Sequence, residues 1–289
     1  MKAMAAGAAR WIDDLPGIVA ALERDWAITA GRALSGGTDS YVAEVTRADG
    51  SPAVLKVIFP RDVPSARNET TVLRLAAGDG CARLLRADED RNALLLERLG
   101  GTLASSGLSV AAKREILCAA AQRVWRPVPP GTALPSGADV GEWLVSFIRR
   151  AWAELRQPCS AQAVRQALDC AGRRIAAHDR ARAMLVHGDV HEWNALAAPE
   201  GGYRLVDPEG VIGEPEYDLG ILMREDPADL MAGDPRDRSR WLAGRTGRDE
   251  NAIWEWGVAE RMSTGLLCTQ IGLQPQGRLL LAAAETLAG

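Results

Sequence analysis

The sequence predicts an α+β protein in two lobes, a small antiparallel sheet lobe with one main helix followed by a larger helical lobe. Three observations predict it. The first third is built of short apolar runs broken by hairpin turns, Gly100-Gly101 then interrupts the pattern, and from Val110 onward apolar residues recur at helical spacing. The expected units are residues 1–99 and 100–289.

Element by element, Ala33 to Val45 reads as a strand, a turn at Gly36-Gly37 and a second strand. Ala48-Asp49-Gly50-Ser51 is a hairpin turn, and Ala53 to Ile58 the next strand. Arg67 to Leu75 has helical spacing with Glu69 in its early part. Arg83–Ala87 and Ala93–Glu97 are strands around the polar turn Asp88 to Arg91. Helices are expected over Ala111–Val124, Glu142–Gln157, Ala161–Arg182, Ala252–Leu267 and Gly277–Leu287. Arg126 to Gly131, with three prolines, is a loop. Two lobes imply a cleft, the kind of place where ligands bind.

Composition narrows the classes. A chain of 289 residues, 47% hydrophobic, can bury a large core, and its formal net charge of -4 argues against nucleic acid as a partner. No stretch is long and apolar enough to span a bilayer, so no membrane association is expected. The Ala-rich start lacks the apolar core of a signal peptide, with Trp11-Ile12-Asp13-Asp14 following soon after, and a cytoplasmic location is expected. Cys81, Cys118, Cys159, Cys170 and Cys268 are scattered and read as small core residues, not as a disulfide framework or a zinc site. A monomer or weak dimer is expected.

The chemistry concentrates in Val186-His187-Gly188-Asp189-Val190-His191-Glu192-Trp193-Asn194 and in Leu205-Val206-Asp207-Pro208. Met184-Leu185-Val186 reads as a buried strand entering the first segment, Ala195-Leu196-Ala197 leaves it, Gly201-Gly202 turns, and Tyr203–Val206 leads to Asp207. A hairpin-like pair thereby brings Asp189, Asn194 and Asp207 together. That set has the spacing of phosphoryl transfer from ATP. One Asp orients the attacking hydroxyl and takes its proton, while an Asn and a second Asp hold Mg²⁺, which prefers hard oxygen ligands. Upstream, Lys56 sits in an apolar strand, where a charge is costly unless paired. Glu69 on one side and phosphate oxygens on the other would pair it; the plain alternative is a half-exposed strand with Lys56 facing water. Gly36 and Gly37 would let backbone approach phosphates, and Leu96-Glu97-Arg98-Leu99 would supply backbone hydrogen bonds to an adenine edge. No G-x-x-x-x-G-K-[ST] is present, so a P-loop enzyme is not indicated.

The His187-to-Asn194 segment and the run Asp207-Pro208-Glu209-Gly210-Val211-Ile212-Gly213-Glu214-Pro215-Glu216-Tyr217-Asp218 carry a resemblance to a known family. The chain resembles the aminoglycoside phosphotransferases, which share the protein-kinase-like fold, and is most similar to the branch containing streptomycin 6-kinases and hydroxyurea phosphotransferases. The likeness runs from roughly Leu34 to Asp226, sharpest in the two motifs. It implies ATP and Mg²⁺ as cofactors, Asp189 as catalytic base, Asn194 and Asp207 as metal ligands, and Lys56 with Glu69 as the phosphate-positioning pair. It also implies that His187 braces the catalytic loop and that Asp218 fixes the loop after Asp207. No D-F-G or A-P-E is present, so a protein substrate is not expected.

The run from Asp207 to Asp234 is acidic, with Arg224 its one base before Asp234. Carboxylates complement ammonium and guanidinium groups, so Glu209, Glu214 and Glu216 are candidate contacts to a small cationic hydroxylated substrate such as an aminoglycoside, with Trp193 as a stacking surface. Solvated surface is the alternative for such a cluster. Two other classes remain open. His187-x-Asp189-x-His191 has metal-ligand chemistry, which suits a metallohydrolase. A nucleotide-binding pseudokinase would bind ATP without turnover. Within the kinase class, hydroxyurea, an amine or a sugar metabolite is the alternative acceptor.

Overall fold

The computed structural model describes residues 2–34, 40–60 and 65–288, with side chains from residue 9 onward. Gly36 and Gly37 lie outside the described residues. The chain divides into two compact units, residues 1–100 and 101–289.

The first unit runs α1 (Lys2–Trp26), β1 (Ile28–Ala33), β2 (Ser40–Arg47), β3 (Pro52–Ile58), α2 (Ser65–Ala76), β4 (Leu84–Asp88) and β5 (Ala93–Glu97). The strands form one antiparallel sheet in the order β1-β2-β3-β5-β4. A second helix, α1, accompanies the expected α2. Its signal was available: Trp11, Leu15, Ile18, Val19, Leu22 and Trp26 recur every three or four residues. That stripe packs on Ile28, Val45, Leu55, Val57 and Leu95. Ala27, with φ 51, ends the helix and turns the chain into β1, which therefore begins before Ala33. Alternation along β3 puts Leu55 and Val57 on the α1 face and Lys56 on the other.

The second unit opens with a 3-10 turn at Leu103–Ser105, then α3 (Val110–Val124), α4 (Gly137–Glu154) and α5 (Ala161–Ala177). Serine caps start all three helices, at Ser109, Ser136 and Ser160. The reciprocal pair of Ser136 and Asp139 begins α4 five residues before the expected Glu142. His178, in extended conformation, ends α5 before the expected Arg182.

Four three-residue strands follow: β6 (Met184–Val186), β7 (Ala195–Ala197), β8 (Tyr203–Leu205) and β9 (Val211–Gly213). β7 and β8 form the hairpin expected around Gly201-Gly202, both of which take positive φ. β6 pairs instead with β9, which lies inside the run read above only as an acidic tail. The same run continues into α6 (Glu216–Arg224), buried from Glu216 through Met223. After it come α7 (Pro227–Met231), α8 (Pro235–Thr246), α9 (Glu250–Gln270) and α10 (Gln276–Ala288).

α6 crosses α9 with backbones nearly touching. A Cβ on Gly220 would lie 2.3 Å from Trp256 Cβ, and one on Gly257 would lie 2.4 Å from Met223 Cβ. Trp254 and Trp256 are buried in this packing. All five cysteines are buried, and none is in a disulfide. Among the described residues, no helix is long and apolar enough to cross a membrane.

Candidate active site

In the second unit, the loop between β6 and β7 carries His187, Asp189, His191 and Asn194. Asp218, fully buried in the first turn of α6, holds the start of that loop. Its carboxylate accepts from His187 N–H at 3.0 Å, Gly188 N–H at 2.8 Å and Trp125 Nε1–H at 2.8 Å. Burial pushes its pKa up to about 6 against those three donors. The loop it fixes is therefore the one before Asp189, not the one after Asp207 as expected. Gly188 takes φ +90, and a Cβ there would come within 3.1 Å of Glu209 Cβ, so the bend needs glycine on both counts.

His187 is fully buried between two partners. Its Nδ1 accepts from Asp189 N–H at 3.2 Å, which leaves Nε2–H to donate to Val206 O at 3.1 Å. Burial lowers its pKa to about 4, so the ring is neutral. It ties the loop carrying Asp189 to the strand entering Asp207.

Asp189 has both carboxylate oxygens occupied. Oδ2 accepts from Asn194 Nδ2 at 3.0 Å and from His191 Nε2 at 3.1 Å, and Oδ1 from Arg224 Nη2 at 2.8 Å. Burial opposes its charge, but the His191 hydrogen bond and the Arg224 guanidinium outweigh that and hold the carboxyl well below the usual range. His191 in turn accepts Trp193 N–H on Nδ1 at 3.2 Å. Both imidazoles thus have both nitrogens committed, and the metallohydrolase reading loses its ligands. Among the described residues, no group of three or more His, Cys, Asp or Glu could hold a metal.

Asn194 is buried and also donates Nδ2–H to Asp189 O at 3.1 Å. With both amide hydrogens on Asp189, its Oδ1 is turned away from that residue. Asn194 O accepts Val206 N–H at 2.8 Å, which binds the Asn to the strand that delivers Asp207. Asp207 has φ 58, a left-handed conformation uncommon outside glycine and typical of functional positions. Two hard oxygen donors of this kind fit Mg²⁺, which completes its shell with phosphate and water oxygens.

The acidic run divides sharply. Glu209 is exposed, has no hydrogen-bond or ion-pair partner among the described residues, and feels the charges of Asp189 and Glu260. Desolvation by the surrounding protein, then those charges, push its pKa upward. Glu214 instead accepts Trp256 Nε1–H at 2.6 Å and Arg174 Nη1–H at 3.4 Å. Glu216 is buried and accepts Asp249 N–H at 3.1 Å. Glu214 ties the approach to α6, and Glu216 its first turn, to the helices around them. Trp193 is 64% exposed.

Two residues of the site were missed in sequence. Arg224, the lone base of the acidic run, donates through Nη1 to Glu260 at 3.0 Å and through Nε to Glu225 at 3.1 Å, besides Asp189. Glu260 also accepts Tyr217 Oη–H at 3.0 Å, and burial raises its pKa. A glutamate directly after the apolar run Trp256-Gly257-Val258-Ala259 was the available signal.

In the first unit, Lys56 and Glu69 are both buried and joined at 2.6 Å, so Lys56 does not face water. Glu97 N–H donates to Arg83 O at 3.0 Å, and its Oε1 accepts Arg83 N–H at 2.7 Å. Leu99 O accepts Arg98 Nη1–H at 2.9 Å. Glu97 N–H and Leu99 O thus already have partners within the chain.

Residues 25–248 match the family described as aminoglycoside/hydroxyurea antibiotic resistance kinase. The chain is 34% identical to streptomycin 6-kinase of Streptomyces glaucescens over 231 residues, 77% of this chain and 71% of that one. It is 32% identical to hydroxyurea phosphotransferase of Kitasatospora aureofaciens over 262 residues, covering 85% and 74%. Among solved structures it superposes on choline kinase LicA from Streptococcus pneumoniae with TM-score 0.65 at 13% identity, covering 95% and 98%. Aminoglycoside phosphotransferase APH(4)-Ia in complex with ADP and hygromycin B superposes with TM-score 0.60 at 14% identity, covering 92% and 96%. These two likenesses establish the protein-kinase-like α+β fold. The chain belongs to the aminoglycoside/hydroxyurea antibiotic resistance kinases and is a phosphotransferase with an alcohol group as acceptor.

Proposed function

We propose that this kinase transfers the γ-phosphoryl group of ATP to a hydroxyl of a small cationic acceptor, an aminoglycoside such as streptomycin. The observation that carries the acceptor class is Glu209, an exposed acid beside Asp189 with no protein partner among the described residues, its pKa pushed up to about 8 so that it ionises fully only when a cation sits against it. An ammonium or guanidinium group is its natural complement. Hydroxyurea, on which one relative is named to act, is neutral and brings no cation to Glu209.

Asp189 orients the acceptor hydroxyl. The acceptor oxygen bonds to the γ-phosphorus as the bond from that phosphorus to the β–γ bridging oxygen breaks. ADP leaves with the electron pair, and the hydroxyl proton passes to Asp189. A carboxylate held this strongly ionised is a weak base, which suits a loose transition state where orientation matters more than early proton removal. Mg²⁺, when bound, neutralises charge on the phosphates, and Asn194 Oδ1 with the Asp207 carboxylate would hold it. Lys56, kept in place by Glu69, engages phosphate oxygens of the nucleotide. His187 and Asp218 keep the loop in register.

The test is ADP release in the presence of streptomycin, other aminoglycosides, hydroxyurea, choline and simple amino-alcohols, with the phosphorylated product confirmed by mass. Streptomycin turnover that D189A abolishes while still binding ATP is the expected result. Preference for hydroxyurea overturns the cationic acceptor, and ATP binding without turnover of any compound makes the chain a pseudokinase.

A further inference from the structure

Arg224 stands on the oxygen of Asp189 that an acceptor must use. Oδ2 is held from within the catalytic loop by Asn194 at 3.0 Å and His191 at 3.1 Å, so it cannot turn outward without breaking the loop. Among the described residues, Oδ1 is held only by Arg224 Nη2, at 2.8 Å. The guanidinium does not depend on that contact. Its Nη1 donates to Glu260 at 3.0 Å, with Thr264 Oγ1 at 3.5 Å, and its Nε donates to Glu225 at 3.1 Å. The backbone on both sides is clamped: Arg261 donates to Met223 O, and Arg238 to Leu222 O at 3.5 Å and Asp226 O at 3.1 Å. The root of Arg224 is fixed and its tip shared among three carboxylates, so one bond can be released while the side chain stays in place.

We propose that Arg224 is a displaceable positioning residue. It holds Asp189 Oδ1 aimed before the acceptor arrives, and it yields that oxygen to the acceptor hydroxyl while Glu260 and Glu225 retain it. The proposal rests on the assignment of Asp189 as the residue that orients the hydroxyl. It separates two effects that a binding residue would not separate. Without Arg224, Oδ1 loses the contact that aims it, the carboxylate is held through Oδ2 alone and the chemical step slows, whereas the acceptor no longer has to displace a guanidinium, so its KM does not rise.

Arg224→Met alone would leave Glu260 buried without its cation, so the variant to measure is R224M/E260Q, in which both charges are gone. ADP release is followed with streptomycin, or with hydroxyurea if that is the compound turned over, and the melting temperature is recorded. The expected result is a protein that melts near the wild type. Its kcat falls about 10- to 100-fold, the loss of one charged hydrogen bond. KM for ATP and for the acceptor stays unchanged or falls, and Arg224→Lys recovers part of kcat. A wild-type kcat, or a rise in acceptor KM at unchanged kcat, overturns the proposal. A D189A variant that still turns over brings down the functional assignment itself. An inactive D189A beside a fully active R224M/E260Q brings down only the role of Arg224.

Discussion

Asp218 and Gly188 are joined by a 2.8 Å hydrogen bond from the Gly188 N–H to a fully buried carboxylate oxygen. Through it, a residue of α6 decides where Asp189 begins. Asp218→Asn would keep the shape but turn one acceptor into a donor against His187 N–H, Gly188 N–H or Trp125 Nε1–H. One misdirected buried pair costs roughly 1–3 kcal/mol. We expect kcat to fall about 10- to 100-fold with little change in KM for ATP; steady-state kinetics of D218N checks it, and a wild-type kcat would remove Asp218 from the catalytic framework.

His187 predicts a pH dependence of stability. Its pKa is lowered from 6.5 to about 4 by burial, so the unfolded chain takes up the proton first as pH falls. The depressed value means a contribution complete above about 6.5 and lost progressively down to about 4, worth about 3 kcal/mol. Asp218, raised to about 6, works in the opposite sense over part of that window, since its folded form binds the proton more tightly. The comparison that isolates His187 is with His187→Gln. The stability advantage of the wild type over H187Q should shrink by about 3 kcal/mol between pH 7 and 4 in urea denaturation. A constant difference would show that His187 is not buried neutral.

The crossing of α6 and α9 positions both Asp218 and Arg224. Gly220→Ala would drive a methyl to 2.3 Å from Trp256 Cβ, with Gly257 N and Trp256 C each 3.0 Å away, so backbone must separate. Overpacking of this kind costs about 3 kcal/mol. G220A is expected to lower both the melting temperature and kcat, because parting the helices loosens the Tyr217 and Arg224 contacts to Glu260. G244A, where nothing lies within 4 Å of the added methyl, is the control that should leave both unchanged.

Asp207 carries a backbone demand and a chemical one, and two variants separate them. At φ 58 alanine is strained and glycine is not, so Asp207→Gly should be more stable than Asp207→Ala by about 1 kcal/mol. Both variants should lose the magnesium dependence of nucleotide binding, because both lack the carboxylate. Calorimetric melting and a magnesium titration of ATP binding give the two answers. Intact magnesium dependence in D207G would remove Asp207 from the metal site.

Much of this was readable before any coordinates. The strands β3 and β5, the β7–β8 hairpin and the helices from α3 to α5 and at α9 and α10 follow from periodicity and turn residues, which are local. The helix α1 was equally local, its apolar stripe passed over behind an Ala-rich beginning. What was not readable was pairing over distance. Val211–Gly213 looks like part of a polar run and becomes a strand only because Met184–Val186 lies beside it. Helix α6 sits in the same run and buries Glu216, while Glu214 just before it is held by Trp256 and Arg174.

The sequence by itself determined the chemistry: an Asp, an Asn and a second Asp at phosphoryl-transfer spacing, and a lysine that a glutamate must compensate. Residue type and spacing carry that much, since a short loop and the hairpin that follows it keep such side chains close together. The tertiary structure decided which charges remain open. Twelve residues of acidic sequence contain Glu209, Glu214 and Glu216 alike, but only Glu209 is left without a partner among the described residues. Likewise only the crossing of α6 on α9 brings Glu260 to Arg224 and Arg224 to Asp189. A charge is paired or free according to what packs against it, and that is set by contacts between segments far apart in the chain.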